Sequence, residues 1–89
     1  MKTIYKYQLY GTQTVIEMPV GASILFLQLQ DTVPTIWALV DQDQDHKVPV
    51  TFYTYGTGWD VPESIDARDF VGTYKTPNGY VFHVFKASN

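Results

Sequence analysis

The 89 residues allow one domain, near the lower end of the size at which a chain builds its own core. With 45% apolar and 17% charged residues the composition is globular, which excludes a disordered chain. A net charge of -3 with six scattered cations disfavours duplex nucleic acid as a partner, and the lack of cysteine excludes a disulfide framework or thiolate metal site.

Lys2 to Leu9 alternates, with Tyr5, Tyr7 and Leu9 on one face of an extended chain and Ile4, Lys6 and Gln8 on the other. That is the pattern of a half-exposed strand. The first residues lack the apolar core of a signal peptide, and no run approaches the roughly 18 apolar residues of a membrane helix. The expectation is a cytoplasmic protein that does not enter a membrane. Gly11-Thr12 turns the chain, Thr14 to Met18 forms a second strand, and Pro19 and Gly21 interrupt it.

Ala22 to Val40 is the central stretch of the chain. Ala22 to Gln30 and Thr35 to Val40 flank a turn at Asp31-Thr32-Val33-Pro34, the layout of a β-hairpin. Both arms are apolar at nearly every residue, so each is expected to be covered on both faces.

A polar loop runs from Asp41 to Lys47. Strand character resumes at Val48, with Val50, Phe52 and Thr54 on one face and Thr51, Tyr53 and Tyr55 on the other, until Gly56-Thr57-Gly58 breaks it. Between Trp59 and Asp69, Pro62 to Ala67 suits a single helical turn, since proline near a helix start loses little. Phe70 to Lys75 and Tyr80 to Ala87 read as strands around Thr76-Pro77-Asn78-Gly79, where Asn-Gly tolerates the positive φ of a tight turn. The fold expected is all-β: a small antiparallel sandwich or open barrel of six or seven short strands over residues 1–89.

The aromatic share is 16%, and Tyr5, Tyr7, Tyr53, Tyr55, Trp59, Tyr74 and Tyr80 exceed what two thin layers can hide. Surplus tyrosine and tryptophan surface favours a partner, and a core this small favours a homo-oligomer.

Three stretches invite chemistry. Asp41, Asp43, Asp45 and His46 resemble a cation loop, but the EF-hand positions for glycine and bidentate glutamate hold His46 and Phe52. A solvated acidic tip is the better reading, and no metal site is assigned. His83 sits between Phe82 and Val84 on the opposite face, and Ser23, Ser64 and Ser88 lie in no nucleophile-elbow context, so no catalytic residue and no cofactor are assigned. Gly56-Thr57-Gly58 lacks the rest of a dinucleotide or P-loop fingerprint. Its amides nonetheless suit an anion, Tyr55 and Trp59 offer stacking faces, and Arg68 is the single guanidinium. Tyr55, Gly56, Thr57, Gly58, Trp59 and Arg68 are therefore the candidate ligand site.

The segments Met1 to Tyr7, Glu17 to Ala22, Trp37 to Asp41, Tyr55 to Gly58, Phe70 to Tyr74 and Val81 to Phe85 together resemble a family of small uncharacterised proteins encoded by tailed bacteriophages and prophages. The resemblance implies expression inside an infected bacterium and carries no catalytic residue over. On that footing the expected function is a non-enzymatic binding module. It would act on a host factor, as counter-defence by sequestering a nucleotide-type signal or blocking a host protein. The alternative is a structural accessory of the phage particle, pairing an edge strand, Lys2 to Leu9 or Tyr80 to Ala87, with another chain.

Overall fold

The alternation read from the sequence becomes seven strands in a computed structural model that describes residues 1–87. They are β1 (Lys2–Gln8), β2 (Gln13–Pro19), β3 (Ser23–Gln30), β4 (Val33–Asp41), β5 (Lys47–Gly56), β6 (Phe70–Lys75) and β7 (Val81–Lys86). A three-stranded sheet runs β1-β4-β3 and a four-stranded sheet runs β2-β5-β7-β6, every pair antiparallel.

Register assigns the faces, because residues directly opposite in an antiparallel pair share a side. Tyr5 lies opposite Ala38 and Tyr7 opposite Ile36, while Phe52 lies opposite Lys86 and Thr54 opposite Val84. Ile36, Ala38 and Val40 of one sheet meet Met18, Phe52 and Val84 of the other in the dry core, with Leu9 and Leu27 at its ends. Apart from Ala38, each such side chain contributes about 1.5–3 kcal/mol on leaving water. Tyr7, Ile16, Val50 and Tyr74 close the margins.

The hairpin at Ala22–Val40 forms with its turn at Asp31 and Thr32, both at positive φ (50° and 68°), as a two-residue hairpin loop requires. Val33 and Pro34, assigned to that turn from the sequence, open β4 instead. Of the two arms only β4 has a neighbour on each side. β3 is an edge strand with Leu25 and Phe26 49% and 59% exposed, and Trp37 and Leu39 on the outer face of β4 are only half-buried, so the expectation of cover on both faces fails for both arms. The apolar residues on the outer face lie side by side, Phe26 opposite Trp37 and Ile4 opposite Leu39, with no further layer above them.

The two sheets close against each other along β3 and β6. A Cβ on Gly72 would stand 3.1 Å from the Leu27 Cβ, so glycine here permits the close approach of the two edges. The helical turn lies at Ala67–Asp69 and not at Pro62 to Ala67, because Asp66 caps it by accepting from the Arg68 N–H at 2.8 Å. Pro62 to Ile65 makes a plain turn, with the Ile65 N–H donating to the Pro62 carbonyl. Tyr80 to Ala87, offered from the sequence as an edge, yields β7, which is paired on both sides and has no free edge. No helix among the described residues is long and apolar enough to cross a membrane.

Candidate ligand-binding site

Gly56 is where β5 ends, and the indole of Trp59 requires that it have no side chain. A Cβ there would lie 2.6 Å from Cε2 and 2.7 Å from Nε1 of Trp59. The chain reverses over Thr57 and Gly58, the latter at φ 88°, and the Trp59 N–H closes the turn on the Gly56 carbonyl at 3.0 Å. This folds the indole back over the backbone of Gly56 and edge-on to Phe82, with ring centroids 5.9 Å apart. Phe82 is itself opposite Gly56 in the β5–β7 register and 5.5 Å from the ring of Tyr74.

The result is a cleft of about 530 Å³ lined by Gly56, Thr57, Trp59, Gly79, Tyr80, Val81 and Phe82. Trp59 and Phe82 also line a second opening of about 470 Å³, where Leu9, Thr54 and Tyr74 mark the end of the space between the sheets. The indole of Trp59 therefore stands as a partition across the mouth of the sandwich. Burial pushes the Tyr74 hydroxyl pKa upward, keeping that ring neutral.

The turn is pinned from below by the last strand. The Thr57 N–H donates to the Val81 carbonyl at 3.1 Å, and its hydroxyl lies 2.7 Å from Nε2 of His83. The other ring nitrogen, Nδ1, is 2.9 Å from the Thr73 hydroxyl. A threonine hydroxyl either donates or accepts, so both tautomers fit. His83 thus ties the turn to β6, and no carboxylate among the described residues hydrogen-bonds to it.

Of the six residues grouped from the sequence, Gly56, Thr57 and Trp59 line the cleft. Gly58 shapes the turn, while Tyr55 points to the outer face of the sheet, edge-on to Phe85 with centroids 6.2 Å apart. Arg68 lies elsewhere, beside Ser23, Phe70 and Lys86, in a forked pair with Asp66. That guanidinium holds the Asp66 carboxyl below its ordinary pKa, and the carboxylate in turn raises the pKa of Arg68. The anion cradle is also weakened, since the amides of Thr57 and Trp59 are spent on Val81 and Gly56.

The sequence missed Gly79, Tyr80, Val81 and Phe82, which only the β5–β7 pairing brings to the turn. The one signal within reach was Tyr80, a large ring beside an Asn-Gly turn. In the acidic loop, Asp41 and Asp43 receive the α-amino group of Met1, and Asp41 accepts from the Asp43 N–H at 3.0 Å. Among the described residues no three acidic, histidine or cysteine side chains converge as a metal site would require.

What the cleft offers is aromatic surface on three sides, backbone, the hydroxyls of Thr57 and Tyr80, and no charged side chain. It suits a flat or apolar group and gives nothing to balance a phosphate. No curated protein and no solved structure matches the chain. The chain belongs to the family described as Domain of unknown function (DUF7352), which matches it over residues 1–89.

Proposed function

We propose that this chain is a non-enzymatic binding module that grips a partner protein by an aromatic or aliphatic side chain seated against Trp59, Tyr80 and Phe82. The observation that carries the reading is the exposure of Trp59 and Tyr80, 51% and 64%, beside a cleft without charged side chains. Large rings left in water around an apolar floor are the usual make-up of an interface anchor. A nucleotide-type ligand is less well served. Its base has stacking faces, but Arg68 is paired with Asp66 and two of the turn amides are already bonded. A host factor is the partner that the phage resemblance would supply.

The test is capture from bacterial lysate with the wild type and with Trp59→Ala, followed by native mass measurement of the complex. A single protein is expected to be retained by the wild type and bound about 30-fold more weakly by the variant, the loss of one hot-spot residue. Calorimetry with cyclic and ADP-ribose-type nucleotides runs beside it. Heat that Trp59→Ala abolishes replaces the protein partner with a small ligand, and capture indifferent to Trp59→Ala removes the cleft from the interface.

A further inference from the structure

The sandwich is sealed along β3 and β6 but open along β1 and β2, whose outer edges have no neighbour among the described strands. The two edges differ. The Thr12 carbonyl accepts from Thr54 and the Val20 N–H donates to His46, so even residues of β2 face β5 and odd ones face out. Pro19 is one of those odd residues and has no N–H to give.

β1 is complete. The Met1 carbonyl accepts from the Gln42 N–H and the Leu9 N–H donates to the Pro34 carbonyl, so odd residues turn toward β4. Lys2, Ile4, Lys6 and Gln8 therefore direct both backbone groups outward, and all four side chains are exposed. Tyr5, although it shares the inner face with the fully buried Ala38, is still 43% exposed, because nothing lies beyond this edge to cover it.

We propose that β1 is a self-association edge: two copies pair their β1 strands antiparallel about a two-fold axis at Tyr5, joining two three-stranded sheets into one. Charge selects this register. With Tyr5 on the axis, Lys2 faces Gln8 of the second copy, Ile4 faces Lys6, and no lysine meets a lysine. An axis at Ile4 would set Lys2 against Lys6, and one at Lys6 would set it against itself, each repulsive in directly opposed positions. The lysines that normally protect an edge strand here exclude the axes at Ile4 and Lys6, and of the alignments that oppose no lysines the axis at Tyr5 pairs the most residues. In that alignment the outward backbone groups of Lys2, Ile4, Lys6 and Gln8 are all paired. It also sets Ile4, which is 55% exposed in the single chain, directly beside the second copy.

Sedimentation equilibrium, combined with single cysteines in a chain that has none, tests the edge and its register together. The wild type is expected to reach twice its 10.2 kDa mass as concentration rises. Tyr5→Cys should cross-link to itself on mild oxidation, since a pair on the axis lies about 4.5 Å apart between Cα atoms, within disulfide reach. Ile4→Cys should not cross-link alone, because a two-residue offset along the strand together with the spacing between strands sets the two Cα atoms about 8 Å apart, but it should cross-link to Lys6→Cys. Ile4→Pro removes an N–H that β4 does not use, so it should stay folded by circular dichroism and remain at 10.2 kDa. A single-chain mass at every concentration overturns the proposal. So does assembly that Ile4→Pro leaves intact, or a ladder of higher masses, which would mean head-to-tail pairing of β1 with β2.

Discussion

Gly56 carries the clearest consequence at the scale of a single residue. Its α-carbon lies under the indole of Trp59, and any side chain there must lift the ring or push the turn away. Gly56→Ala is expected to cost about 1–3 kcal/mol by overpacking, measured as a lowered denaturation midpoint. It should also move the Trp59 emission toward that of free indole in water, whereas an unchanged spectrum would show that the ring does not depend on the glycine. His83 illustrates the same scale from the other side. Its chemistry-bearing ring is held by two threonine hydroxyls, so its contribution is to fix where Thr57 sits.

Among the elements, the short 3₁₀ turn at Ala67–Asp69 is closed by the Asp69 N–H on the Asp66 carbonyl at 2.9 Å and capped by the Asp66 carboxylate. Asp66 accepts from the Arg68 backbone and from its guanidinium, and its pKa is lowered chiefly by that guanidinium. A carboxylate depressed in the folded state stabilises above its unfolded value and ceases to do so as pH falls through the folded one. The turn is therefore expected to loosen in acid, below the ordinary carboxylate value of 3.8. The pair is solvent-exposed, so the effect is local. Amide shifts of Ala67 to Asp69 followed during an acid titration should move while those of β4 stay fixed, and Asp66→Asn should suppress the movement. Elsewhere the strands behave as units of pairing: β3 and β6 are kept from neighbours by each other, while β1 and β2 keep bare edges.

For the molecule as a whole, two thin sheets leave no tyrosine or tryptophan among the described residues fully buried. Tyr7 and Tyr74 are the most affected by their surroundings, and burial raises the pKa of each hydroxyl above 10.0. For such a group the folded form is favoured fully below the unfolded value and loses that advantage as pH climbs toward the folded one. Denaturant melts are expected to show the tyrosine contribution as a decline in stability above about pH 10. Replacing both residues with phenylalanine should flatten the alkaline limb. A decline that persists unchanged in the double variant would assign it to other groups.

Much of this architecture is legible in the amino-acid sequence. Period-two alternation assigns Tyr5 and Tyr7 to one face and Phe52 and Thr54 to another, because strand periodicity needs only the local chain. Gly79 marks its turn through the positive φ it accepts, while Asn78 beside it keeps a negative φ, and Thr32 takes a positive φ that its β-branched side chain disfavours. Composition favours strands and leaves aromatic surface in excess of the core.

Strand order is another matter, since it depends on contacts between residues far apart in the chain. Only the tertiary structure decided that β7 runs between β5 and β6, which turned the last strand from an edge into an interior and brought Tyr80 and Phe82 to Trp59. It also decided that Arg68 sits beside Asp66 at a distance from the cleft, a separation that adjacency in sequence conceals. The physical reason is the same in each case: local periodicity sets which way a side chain points, while the pairing of distant strands sets what it meets.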